Sequence, residues 1–255
     1  MIKVISIVGL TASGKSAIGI ELARMFGGEI ISCDSRQIYK GMDESSGKVT
    51  KQEREIVPHH LLDIVQPEEI FDVHMFQGMA YDKISEITSR GNIPILVGGT
   101  GLYTRAVVNN YKFEYVPKDN RLRRPIQKKL AERVYPELEV LQIALMPPKD
   151  WLKQKIEKRT QERLRGGMLD EIRVLLENGV SEEWLLKLGF EYRLGVDYIK
   201  GRISWDEYQR WFNIRCMQYV KRQITWFKKE KNTFFLENPD TFLHDCARLV
   251  SEFLR

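Results

Sequence analysis

Eight residues near the amino terminus, Gly9-Leu-Thr-Ala-Ser-Gly14-Lys15-Ser16, match the pattern G-x-x-x-x-G-K-[ST] in full. Glycines let a chain fold its backbone N–H groups inward around an anion, and a helix starting at the last glycine adds its positive end. Gly9, Thr11, Ala12, Ser13, Gly14, Lys15 and Ser16 are therefore candidate phosphate contacts. Lys15 would reach the outer phosphate, and the Ser16 hydroxyl is the candidate Mg²⁺ ligand. The loop specifies a polyphosphate without saying which one, so a kinase or nucleotide hydrolase is the default reading.

A nucleotide hydrolase of this class needs an acid at the end of an apolar strand. The run Ile93–Val97 ends instead in Gly98-Gly99-Thr100-Gly101. The first acid after the loop helix is Asp34, in Ser32-Cys33-Asp34-Ser35-Arg36-Gln37. A carboxylate at that strand end could bind Mg²⁺ or act as general base on an amine or hydroxyl. It would serve equally as a turn or cap residue. Thr100 could reach substrate from the second glycine turn, although such turns often only reverse the chain. His59-His60-Leu61-Leu62-Asp63 lacks a third ligand at metal-like spacing, which favours turn hydrogen bonding over a metal site. In Tyr219–Lys229, basic residues alternate with aromatics. That suits an RNA backbone and its bases, or a solvated basic face with the aromatics packed inside.

These residues need a frame. Lys3–Val8 reads as a buried strand that stops at Gly9, a helix follows from Lys15 to Gly27-Gly28, and Glu29–Ser32 is a second strand. His74–Arg90 reads as a helix, and Ile93–Val97 and Glu139–Leu145 as further buried strands of a parallel sheet. Lys118–Arg133 is strongly basic and patterned as a helix. Beyond Trp151 the pattern is helical over about 151–165, 168–178, 182–200 and 204–230. The predicted fold is α/β: a P-loop NTPase-like core with a parallel sheet, a small helical insertion and a helical carboxyl half. The predicted divisions are a core over 1–110, an insertion over 111–138, a core strand with a helical RNA-contacting region over 139–237, and a terminal helix over 238–255.

The chain has 255 residues, 43% of them hydrophobic, which suffices for a real core. Lys+Arg is 40 against Asp+Glu 35, an excess that permits a nucleic-acid partner without demanding one. The three cysteines, Cys33, Cys216 and Cys246, form no CxxC pair, which argues against zinc or a disulfide framework and for reduced thiols in a cytoplasmic protein. No run approaches about 18 apolar residues, and the first ten residues lack a basic signal-peptide start, so no membrane partner is expected.

Six blocks in order resemble the tRNA dimethylallyltransferases, also called tRNA isopentenyltransferases. They are the phosphate loop, Asp34–Asp43, His59–Asp63, Val97–Tyr103, Arg163-Leu164 with Gly167-Met168 and Glu171, and Lys221–Phe227. The match spans most of residues 3–230. The resemblance implies transfer of a dimethylallyl group from dimethylallyl diphosphate to N6 of adenosine 37, beside the tRNA anticodon. It implies that the loop holds the donor's diphosphate with Mg²⁺, that Asp34 is the general base, and that Thr100 contacts the substrates. Asp34, Ser35, Arg36, Gln37, Thr100, Arg123, Lys221, Arg222 and Gln223 are the implied tRNA contacts, and the expected partner is the anticodon stem-loop, met by a monomer. Two departures stand out. Met42–Val49 lacks the early glycine of the common Met-Asp-Ile-Gly-Thr-Ala-Lys-Pro pattern, and only about Tyr111–Leu138 stands where most members carry several dozen inserted residues. Gly189-Phe190-Glu191-Tyr192-Arg193 resembles a shorter subgroup's Gly-Leu-Glu-Tyr-Arg and makes Arg193 the expected arginine for the diphosphate.

Overall fold

The computed structural model describes residues 1–113 and 133–255. Arg123 and most of the basic stretch Lys118–Arg133 lie outside the described residues. Six parallel strands form one sheet in the order β3-β2-β4-β1-β5-β6: β1 Ile2–Gly9, β2 Gly28–Ser32, β3 His59–His60, β4 Ile93–Val97, β5 Leu138–Leu145 and β6 Thr233–Leu236. The first, second, fourth and fifth coincide with the predicted strands. β3 and β6 are too short and too edge-like to show a period.

Side chains alternate across the sheet, so each strand feeds two cores. On one face Ile5, Ile7, Ile95 and Ile143 meet α1 (Lys15–Phe26) and the terminal α10 (Phe242–Leu254). On the other, Ile31 and Leu96 meet Phe76, Tyr81 and Ile84 of α3 (Val73–Ser89) and Tyr103 of α4 (Gly101–Val108). The short α2 (Lys51–Ile56), started by a Thr50–Glu53 capping box, packs beside α1. The helical half comprises α5 Lys149–Arg165, α6 Met168–Glu177, α7 Glu182–Leu188, α8 Phe190–Ile199 and α9 Trp205–Phe227. It sits beyond the carboxyl edge of the sheet and packs two further cores against Leu10 and against Ile38, Tyr39 and Met42.

The helix expected over 182–200 is broken at Gly189, where the backbone is extended. The break explains Arg193. Its guanidinium donates to the Leu186 carbonyl at 2.9 and 3.1 Å, closing the open carboxyl end of α7. That side chain is exposed and does not line the cavity described below.

The histidine block serves the fold. His60 Nε2 meets Glu29 Oε2 at 2.6 Å, and His59 Nδ1 meets the Val57 carbonyl at 2.8 Å. Asp63 accepts from Lys48 at 2.6 Å and Arg54 at 2.7 Å, tying this block to the 42–49 loop. Glu29 is 3% exposed. Burial alone would raise its pKa, but hydrogen bonds from Arg90, Asn92 and His60 outweigh it and hold the carboxyl down at about 2. A depressed folded-state pKa stabilises above the unfolded value and loses that contribution as pH falls through the folded one. Glu29→Gln is therefore expected to cost about 2–3 kcal/mol near pH 7. Urea melts at stepped pH should show this deficit shrinking from about pH 5 toward pH 2; a pH-independent deficit would contradict the assignment.

Candidate active site

The carboxyl ends of β1, β2 and β4 deliver three turns to one place. After β1, Gly9 (φ 133°), Ala12 (φ 58°) and Gly14 (φ 89°) curl the loop into a nest. Gly9 is also required by space, because a Cβ there would lie 2.2 Å from the Leu145 carbonyl of β5. After β2 comes Asp34. After β4 comes Gly98–Gly101, where a Cβ on Gly98 would lie 2.2 Å from the Cys33 carbonyl. The close approach of these turns is what the second glycine cluster provides.

They enclose a cavity of about 890 Å³. Thr11, Ala12, Gly14, Lys15 and Ser16 of the loop line it together with Asp34, Ser35, Arg36, Gln37 and Thr100. The helical half closes the cavity with Lys155, Arg159 and Arg163 of α5, Glu191 of α8, and Tyr219, Arg222 and Gln223 of α9. Lys15 Nζ donates to the Leu10 carbonyl at 2.5 Å. Its pKa is pushed down to about 7, by burial first and then by the Arg159 charge, with Asp34 opposing. Arg159 is pushed down to about 10 by burial and by Arg163. Two cations confined together and short of counter-charge form a site that gains by receiving an anion.

Arg159, unlike Arg193, lines the cavity beside the phosphate loop. It donates to Thr11 Oγ1 of the phosphate loop and to the Gly47 carbonyl, both at 3.3 Å. Its one sequence signal was the spacing to Arg163, four residues along the same helix face.

Asp34 makes the turn that its position allows and also lines the cavity. Its Oδ1 accepts the Arg36 N–H at 2.9 Å, an Asx turn that aims the carboxylate into the cavity. Thr100 holds the same turn: its Oγ1 accepts the Ser35 N–H at 3.1 Å. Gln37 braces the loop behind, donating to the Gly47 carbonyl at 3.2 Å and accepting from Ser32 at 3.0 Å.

The loop 43–47 also lines the cavity, and the sequence missed its anchors. Glu171 of α6 accepts the N–H groups of Asp43, Glu44 and Ser45 at 2.6, 2.8 and 3.0 Å, and also the Ser45 hydroxyl. Arg163 donates to the Glu44 carbonyl at 2.6 Å and to that of Ser45. The missing early glycine thus leaves a loop pinned from the helical side.

On α9 the buried and the basic residues of the stretch lie on different faces. Phe212, Cys216, Val220, Gln223 and Phe227 are buried. Lys221 and Arg222 are exposed and, with Arg105, Thr225, Trp226 and Lys229, line a second groove of about 360 Å³. Arg105 stacks on Trp226 with its guanidinium carbon 4.2 Å from the ring centroid. The Trp226 indole abuts Gly101, where a Cβ would come within 2.1 Å of Nε1. Gly101→Ala must displace α9 or the Thr100 turn. A destabilisation of about 3 kcal/mol is expected, read as the loss in a urea melt, together with loss of activity; an unchanged midpoint would refute this packing.

Fold and cavity together define an α/β protein in which the glycine-rich Gly9–Ser16 turn and a carboxylate line one cavity. The IPP transferase family model matches residues 37–139 and 125–230. The chain is 40% identical to tRNA dimethylallyltransferase 2 of Shewanella sediminis, covering 88% of each chain, and 35% identical to tRNA dimethylallyltransferase of Geobacillus thermodenitrificans, covering 94% of this chain and 92% of the other. The structure superimposes on a tRNA isopentenylpyrophosphate transferase of Bacillus halodurans with a TM-score of 0.86 at 28% identity, covering 100% of this chain and 97% of that one. A eukaryotic dimethylallyltransferase acting on tRNA shares the fold at a TM-score of 0.76 and 24% identity, with 98% and 78% covered. The chain belongs to the IPP transferase family.

Proposed function

We propose that this protein is a prenyltransferase that moves a dimethylallyl group from dimethylallyl diphosphate to N6 of adenosine 37 in tRNAs reading codons that start with U. The observation that carries this reading is the shared cavity of about 890 Å³, which the phosphate loop and the Asp34 carboxylate both line. The diphosphate is held by the loop N–H groups, Lys15 and Arg159. Its negative charge restores the proton affinity that burial takes from Lys15.

The exocyclic amine of adenine is a weak nucleophile because its lone pair is delocalised into the ring. Hydrogen bonding to Asp34 raises its electron density as the N6–C1 bond forms, and Asp34 takes the N6 proton. The C1–O bond breaks with its electron pair leaving on the diphosphate, where Lys15, Arg159 and the loop amides stabilise the developing charge. Thr100 and Ser35 keep the Asp34 turn in register, and the target base leaves its stack to enter the cavity.

Mg²⁺ would be held by the Ser16 hydroxyl, which lines the cavity at the first turn of α1, and by the donor's phosphate oxygens. That donor set suits an ion that binds through substrate phosphates and retains water. When bound, it supplies further positive charge against the leaving group. Arg36, Lys221 and Arg222 serve the anticodon stem-loop, with the groove beside Trp226 offering cations to its backbone. The protein acts as a monomer in the cytoplasm; among the described residues no helix is long and apolar enough to cross a membrane.

The test supplies purified protein with dimethylallyl diphosphate, Mg²⁺ and unmodified tRNA, and analyses the digested nucleosides by mass spectrometry. N6-isopentenyladenosine in the tRNA, undiminished by excess AMP, supports the reading. Prenylation of AMP in preference to tRNA, or of neither, overturns it.

A further inference from the structure

The buried face of α9 carries one polar residue among Phe212, Cys216, Val220 and Phe227. This is Gln223, 4% exposed. A primary amide buried to that degree is costly unless its donors and acceptor are used. Gln223 uses them on the two turns that make the site. Its Oε1 accepts the N–H of Thr11 in the phosphate loop at 2.8 Å, and its Nε2 donates to the Gly99 carbonyl at 3.2 Å. The partners fix the amide's orientation, since a flip would set donor against donor and acceptor against carbonyl. Gly99 is shaped to this contact, because a Cβ there would lie 3.0 Å from Nε2.

Each turn continues into chemistry. Thr11 receives Arg159 on its hydroxyl, and Gly99 precedes Thr100, whose Oγ1 holds the Ser35 N–H beside Asp34. The bridge therefore lies on a continuous line from the cations of the donor end to the carboxylate of the acceptor end. Both hydrogen-bonding ends of the amide are engaged by protein, which leaves a poor contact for RNA.

We infer that Gln223 is a positioning residue that couples the phosphate loop to the Gly98–Gly101 turn, setting the distance between bound diphosphate and the Asp34 side of the cavity. This rests on the prenyl-transfer reading above. On that basis its contribution appears in turnover and in donor–acceptor coupling, and not in tRNA affinity.

Two variants test it. Gln223→Met keeps the volume and removes both hydrogen bonds. Gln223→Asn keeps the amide but is one methylene too short to span both turns. Both are expected to lower the single-turnover rate at saturating donor and tRNA by about 10–100-fold, with the Kd for tRNA within about twofold of wild type. Restoration of the wild-type rate by Asn, or a raised tRNA Kd with the saturated rate unchanged, would overturn the inference and make Gln223 an RNA contact. A second readout does not depend on catalysis. In wild type, adding dimethylallyl diphosphate alone should slow backbone hydrogen exchange in the peptide covering 98–104 as well as in the loop. In Gln223→Met, or in Gln223→Asn should the former not fold, the loop should respond and the 98–104 peptide should not. Coupled exchange in both variants defeats the inference. Wild-type protein with that coupled response but no prenyl transfer defeats the functional reading instead.

Discussion

Asp34→Ala is expected to lower kcat by about 10²–10⁴-fold, the range a positioned general base contributes. Donor binding should survive. The proposed diphosphate contacts are the loop amides, Lys15 and Arg159, and no hydrogen bond joins Asp34 to Lys15 or Arg159. One electrostatic link remains: the Asp34 charge favours protonated Lys15, so its removal lowers the ammonium population in the empty site. A rise in donor Kd of up to about tenfold is therefore consistent, since one pKa unit corresponds to a tenfold change. Single-turnover kinetics with separately titrated donor would distinguish the two effects. Undiminished turnover in Asp34→Ala would remove the carboxylate from the mechanism and leave it as the Asx-turn residue that its Arg36 contact also makes it.

The second large effect concerns which arginine serves the diphosphate. Arg159→Ala should lower kcat/KM by about 10²–10³-fold, the usual cost of removing one preorganised group that stabilises developing charge. Arg159→Lys should recover only part of this, because one ammonium cannot hold Thr11 and Gly47 together as the guanidinium fork does. Arg193→Ala should leave kcat/KM within about twofold and cost about 1 kcal/mol of stability through the lost bonds to the Leu186 carbonyl. Steady-state kinetics on the three variants decide the matter, and a large loss at Arg193 with none at Arg159 would reverse the assignment.

The positions and roles of Arg159, Arg163 and Glu171 show how residues far apart in sequence come to share one wall. Glu171 holds the backbone of residues 43–45 across more than a hundred positions. No local pattern signals such a bond, because the groups it satisfies are main-chain N–H groups that every sequence carries. The same limit applies to Arg193, which from sequence alone could not be told from a cavity cation. Only the break at Gly189 shows that its guanidinium closes a helix end.

What the sequence determined by itself was whatever depends on neighbours along the chain. The phosphate loop was legible because its glycines, its lysine and the helix after it are contiguous, and the nest they form is a local backbone shape. The strands β1, β4 and β5 were legible because burial on both faces leaves largely apolar runs, and β2 because its short Ile30-Ile31 core follows the loop helix and its closing glycines. Asp34 could be placed at a strand end, facing the loop mouth, from the direction rule of parallel sheets alone. The tertiary structure decided which cations surround the donor, that Gln223 is turned inward to bridge two turns, and that Gly101 is a glycine because Trp226 rests on it. These are contacts between elements whose separation is set by packing of the helical half onto the carboxyl edge of the sheet, and packing distance is a property of no single segment.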